Sequence, residues 1–287
     1  MGSLQGHLLP GAMFMVIAAW WFIGETLQKR GHRRYCDRSR GHFRGSRTAV
    51  QPVWYSCPGA RLSAIPVEPI VKVVFAVLGI LAELFVARAA TLHGEDGELI
   101  AQHLDNYTHS LMYGFFGLSG VVDLVIWFDL FPLPPKLDYL VFSLALCFEG
   151  LLFCFHLHGR DELNVRLHTF LYILVFVTAA SFFLAVISDQ FFHFVGFLRA
   201  YLLSFQGSWF FQAGFVLFGP NPWKNSPSNV EFLGIVFAFH ALTWFVVHLI
   251  LRIVCYHCYT KKSQLSGNLS EEETSGEEAD CVMLGEL

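Results

Sequence analysis

Seven stretches of this 287-residue chain, roughly 8–28, 66–89, 109–130, 136–157, 168–188, 194–218 and 230–254, run for about 20 residues with almost no charge. That is the length a helix needs to cross the hydrocarbon core of a bilayer. Irregular backbone cannot face lipid, because each peptide group must find a partner inside its own segment, so the runs are expected to be helices. Only 15% of residues are charged and 54% are hydrophobic, against about a quarter charged in ordinary soluble domains. The expected fold is an all-α, polytopic bundle of seven transmembrane helices over 1–255, followed by a tail over 256–287. No basic residue precedes the first run while Lys29 and Arg30 follow it, so it reads as a retained helix and not as a cleaved leader.

The connectors carry opposite charge. Residues 29–65 hold Lys29, Arg30, Arg33, Arg34, Arg38, Arg40, Arg44, Arg47 and Arg61 against one acid, Asp37. Residues 91–108 hold Glu95, Asp96, Glu98 and Asp105 and no Lys or Arg. Basic loops stay in the cytosol, which puts the connector 29–65 inside, the N-terminus outside and the C-terminus inside. Cys36, Cys57, Cys255, Cys258 and Cys281 are then cytosolic and no outer loop has a cysteine, so no structural disulfide is expected. The juxtamembrane pair Cys255 and Cys258 suits S-acylation or two plain thiols. Asn106 heads a glycosylation sequon close to the third helix. The acidic segment 271–280 lacks apolar periodicity and reads as disordered. The basic connector suits anionic lipid head groups, and nothing in it resembles a nucleic-acid module.

Polar residues inside the spans are the chemically informative ones. A charge at mid-membrane costs about 3 kcal/mol on insertion scales, so such groups turn towards the bundle interior or a wet cavity. A rise of about 1.5 Å per residue converts position into depth: Glu149 lies about 12 Å below the outer end of its helix and His240 about 15 Å down. On the same scale Gln206 and Gln212 lie about 18 and 9 Å down, and Glu83 about 9 Å. The sequence thus predicts an outward-opening pocket of Glu83, Glu149, Gln206, Gln212 and His240, rimmed by His109, His156, His158 and His168, with His7 a further candidate. Near the cytosolic face Glu25, Lys72, Asp123 and Arg199 are expected to pair with one another or snorkel. Gly114, Gly117, Gly120 and Gly207 are expected at close helix crossings.

Several short motifs carry a resemblance. These are Gly6-His7 with Pro10-Gly11, Trp20-Trp21, Met112-Tyr113 with Phe115-Phe116-Gly117, Asp123, Glu149, His156-Leu-His158-Gly159-Arg160, and the run QGSWFFQAGF from Gln206 to Phe215. Together they resemble the transmembrane protein 45 family across all seven spans. The resemblance implies a seven-helix membrane protein of the secretory pathway, in Golgi or plasma membrane, with no assigned biochemical activity. Two positions depart from the pattern it leads one to expect: Thr108 precedes His109 in place of a second histidine, and Asn164 stands in place of an aspartate. If relatives bind a metal at the rim, this chain has one imidazole and one carboxylate fewer.

Three readings follow. The polar groups form a hydrogen-bond network that fixes helix packing. Alternatively, His109, His156, His158, His168 and His240 include the ligands of zinc or another transition metal, with Glu149 as general base on a metal-bound water and a lipid ester or amide as substrate. The third reading is a proton-coupled transporter or relay through Glu149 and His240. No spacing favours haem, and a receptor reading rests on helix count alone. The partners expected are the bilayer and a lipid or small-molecule ligand.

Overall fold

The computed structural model describes the backbone of residues 3–39, 53, 65–155, 157 and 159–283, and side chains within these except at 27–39, 102, 192–193 and 259–283. Seven long α-helices make up almost all of it: α1 Leu4–Ser39, α2 Val67–Leu81, α3 Ala101–Trp127, α4 Leu137–Phe155, α5 Glu162–Ile187, α6 Phe192–Phe218 and α7 Pro227–Met283. A π-helical turn, Ala82–Val86, prolongs α2. Most of the connector 29–65, including Cys36 and Cys57, lies outside the described side chains, as do His156, His158 and Cys281. Cys147, Cys154, Cys255 and Cys258 form no disulfide.

Local chemistry sets the helix ends. Ser3 caps α1, its hydroxyl accepting from the Gly6 N–H at 3.0 Å. Pro132, Pro134 and Pro135 separate α3 from α4, since proline neither donates a backbone bond nor tolerates a helix before it. After α4 the chain turns at Gly159, whose φ of +74° lies in the left-handed region that glycine adopts without strain. Asp161 then caps α5 by accepting from the Asn164 N–H at 2.9 Å. Ser226 and Pro227 open α7 as cap and first helical residue.

The described residues divide into two compact units, 1–242 and 243–287. In the first, consecutive helices run antiparallel. Trp20 and Trp21, late in the apolar stretch Leu4–Thr26 of α1, reach Glu68 at the start of α2, Lys72 of α2 meets Asp123 late in α3, and Lys136 before α4 meets Asp189 after α5. This end of the bundle, where the 29–65 connector departs, is called the connector end. α1 packs most extensively on α6. The two backbones close at Gly11 and Gly207: a Cβ on Gly207 would lie 2.8 Å from the Gly11 carbonyl oxygen. At the α2–α3 crossing a Cβ on Gly117 would stand 2.7 Å from that of Ala76, and one on Gly120 2.8 Å from that of Lys72. Gly114, expected in the same role, faces open space.

Among the described residues, six helices are long and apolar enough to cross a membrane: Leu4–Thr26, Val67–Val86, His103–Trp127, Leu137–Phe155, Glu162–Ile187 and Pro227–Cys258. α6 is not among them although it has 27 residues. It carries Arg199, Ser204 and Gln206, all buried. With helices on several sides, α6 meets protein where its neighbours meet lipid, so its composition is that of a core. The exposed side chains of α2 are the converse: Val71, Val74, Phe75, Val77, Leu78 and Leu81 are all turned outward, as lipid-facing residues must be.

In the second unit the backbone of α7 runs on to Met283, and beyond Cys258 only backbone is described.

Candidate functional site

The densest polar cluster lies at the connector end. Lys72 reaches from α2 to Asp123 Oδ2 on α3 at 2.9 Å and to Glu68 Oε1 on its own helix at 3.4 Å. The four-residue spacing of Glu68 and Lys72 puts both on one helix face. Trp20 and Trp21 donate their indole N–H groups to the two oxygens of Glu68 at 2.9 and 2.8 Å. The ammonium also sits 5.0 Å from the Phe142 ring centre, and the Arg199 guanidinium 5.1 Å from that of Trp21. Glu25 interacts electrostatically with Arg199 and lies against Gly196 one turn before it.

Val53, an isolated described residue of the connector, is drawn into this cluster. Its N–H donates to Asp138 Oδ2 at 2.7 Å, its carbonyl accepts from Arg199 at 2.8 Å, and its side chain is fully buried. One acid on α4 and one base on α6 thus hold both polar groups of a single peptide residue. Glu25, Lys72, Asp123 and Arg199, expected to pair with one another near the cytosolic face, are all buried in this arrangement. Glu68 and Asp138 were not singled out by sequence; their signal was proximity to Lys72 in the first case and the opening of a helix in the second. Nothing in the sequence points to Val53.

The residues of the expected outer pocket are distributed over separate helix interfaces. Between α4 and α6, the Gln206 Nε2 donates to Glu149 Oε1 at 3.1 Å and to Oε2 at 3.3 Å, both residues being buried. Gln206 Oε1 is also buried and has no hydrogen-bond partner. Between α2 and α3, Glu83 accepts from Asn106 Nδ2 at 2.6 Å and from His109 Nδ1 at 3.2 Å. The π-helical turn contains Glu83 and brings it round towards α3. Between α6 and α7, Ser208 Oγ and His240 Nδ1 are 2.9 Å apart, and the His240 ring stands edge-on to Trp209. Between α1 and α5, His168 meets His7 with ring centres 5.8 Å apart. Gln212 is half-buried on α6. His156 and His158 lie outside the described residues. Among the described residues no three His, Cys, Asp or Glu side chains converge as a metal would require. Among the described residues, the side-chain hydrogen bonds of Glu149 go to Gln206.

Asn106, the head of the sequon, donates an amide N–H to Glu83, and Arg160 of the His-Gly-Arg motif pairs with Asp105 at 3.6 Å.

Helices of membrane-crossing length with charged and amide side chains turned inward define an all-helical, multi-pass integral membrane protein. Residues 135–257, from the start of α4 into α7, match a family model described as a family of unknown function (DUF716). The transmembrane protein 45 proteins are members of that family, which agrees with the motif resemblance over this part of the chain.

Proposed function

We propose that the chain is a seven-span protein of the secretory pathway, in Golgi or plasma membrane, that relays or transports protons through the Glu149–Gln206 pair. α6 is the seventh span: at about 1.5 Å per residue its length exceeds the roughly 30 Å of hydrocarbon, and its polar residues face neighbouring helices. The charge asymmetry of the connectors puts the N-terminus outside and the C-terminus in the cytosol. The motifs set the chain beside the transmembrane protein 45 family, and within it beside transmembrane epididymal protein 1.

The observation that carries the relay reading is Glu149 itself. It is 3% exposed, sits mid-helix, and its hydrogen-bond partner is an amide and not a cation. A carboxyl group buried in a membrane protein without a compensating charge marks ion or proton paths. The reading with a metal-assisted hydrolase draws less support, because the described candidates His109, His168 and His240 go to three different helix interfaces. Purified protein in liposomes under an imposed pH gradient tests the proposal: internal pH should move with wild type and stay still with Glu149→Gln. No flux in wild type removes the reading. Terminal epitope tags read on intact and permeabilised cells test the orientation separately.

A further inference from the structure

We propose that Cys258, with Cys255 one turn before it, is a site of reversible S-acylation by a long-chain fatty acyl group. The proposal rests on the orientation given above, which puts this end of α7 on the cytosolic side, and it uses none of the residues of the proton reading.

The two thiols stand where α7 stops being apolar. The stretch fit to cross a membrane runs Pro227–Cys258 and ends on the second cysteine. Tyr256, 66% exposed, lies between them, and such amphipathic aromatics settle at the level of the lipid head groups. Lys261 and Lys262 follow within a turn and belong to the aqueous side. Neither cysteine forms a disulfide; Cys258 is exposed and Cys255 is half-buried. The spacing of three residues puts both on one face of the helix.

Direction along the helix decides what a group on these thiols touches. Every Cα–Cβ bond of an α-helix leans towards the N-terminus, so a side chain covers the turn before its own. α7 enters the bilayer near Pro227 and leaves it at this end, so here the lean points back to the hydrocarbon. At the entry of the same helix it would point out to water. Four and seven residues before Cys258 stand Val254 and Leu251, both exposed and on the same face. A chain attached at Cys258 Sγ therefore runs along an apolar strip into the lipid, and each buried methylene favours it. Cys255 shares the strip, since Leu251 lies four residues before it.

The chemistry is an exchange of thioesters. The cysteine sulfur attacks the carbonyl carbon of a long-chain acyl-coenzyme A, in the active site of a membrane acyltransferase. The new S–C bond replaces the bond to the sulfur of the coenzyme, which leaves with the proton that the cysteine gave up. Nothing is oxidised or reduced, and hydrolysis of the thioester reverses the step. The spans already hold the chain in the bilayer, so the acyl group serves to pin the exit of α7 at the head-group plane.

The test uses the full chain made in cells that carry such transferases. Unmodified thiols are blocked, thioesters are cleaved with neutral hydroxylamine, and each thiol released is tagged with a maleimide polymer that slows the band on a gel. Wild type should show a hydroxylamine-dependent shift that falls in Cys258→Ser and falls further in Cys255→Ser with Cys258→Ser. A wild type with no such shift overturns the proposal, as does a shift undiminished in the double variant, which would assign it to other cysteines. A shift released by dithiothreitol alone would mark a disulfide and overturns it equally. Should the double variant fail to accumulate, mass spectrometry of the wild-type peptide 253–261 decides, and a peptide without acyl mass overturns the proposal. A C-terminal tag found outside the cell removes the orientation reading; a cytosolic tag on a chain without thioester removes this proposal alone.

Discussion

Lys72 Nζ lies 2.9 Å from Asp123 Oδ2, an ion pair between α2 and α3 in which the acid is fully buried. Truncating one partner of such a pair leaves a charge without compensation, at a cost of about 3–5 kcal/mol, whereas replacing both with apolar residues can be close to neutral. Lys72→Met and Asp123→Leu should each lower thermal stability in detergent sharply, and the double variant should be less damaged than the sum of the two, though not restored, because Glu68 then loses its cation. Additive losses would show that the pair is not coupled.

Val53 is held through its backbone by Asp138 and Arg199. A cysteine at this fully buried position should resist thiol reagents in folded protein. In a Val53→Cys chain that also carries Asp138→Ala, labelling should become rapid while the remaining helices stay folded. Equal labelling in the two chains would mean that Asp138 does not hold the segment.

The crossing of α1 over α6 depends on Gly207, where an added Cβ meets the backbone of Gly11. Gly207→Ala should cost about 1–3 kcal/mol through overpacking. The same change at Gly114, which faces open space, should cost nothing measurable. Unfolding midpoints of the two variants give the comparison directly.

Asn106 lies within α3, inside the membrane-crossing stretch His103–Trp127, and donates an amide N–H to Glu83 at 2.6 Å, so the sequon should carry no glycan. Endoglycosidase treatment of protein from mammalian cells should leave its mobility unchanged. A shift that disappears in Asn106→Gln would contradict the placement of Asn106 within that stretch.

Much of the architecture is readable from the chain because lipid is an unforgiving solvent. Six spans announce themselves by length and lack of charge. α6 is long enough but carries Arg199, Gln206 and Gln212, which only its position among other helices explains. The polar residues inside the spans were equally visible, and the expectation that Lys72 and Asp123 pair is met. The sequence could not supply azimuth. Rise per residue gives height along a helix, so Glu83, Glu149 and His240 were all placed in one half of the bundle. Which neighbour each one faces depends on the order of helices around the bundle, and they reach α3, α6 and α6 respectively. Glycines show the same limit: Gly114, Gly117 and Gly120 share a spacing, yet only the last two meet α2. Val53 was invisible for a further reason, since its contacts are made by its backbone and leave no trace in residue type.

The proton reading is tested most directly by exchanging the two members of the α4–α6 pair. Glu149→Gln alone should abolish pH-driven flux into liposomes, and Glu149→Gln combined with Gln206→Glu should restore it, since the swap returns one carboxyl and one amide to the same contact. Undiminished flux in the Glu149→Gln single variant would contradict the account.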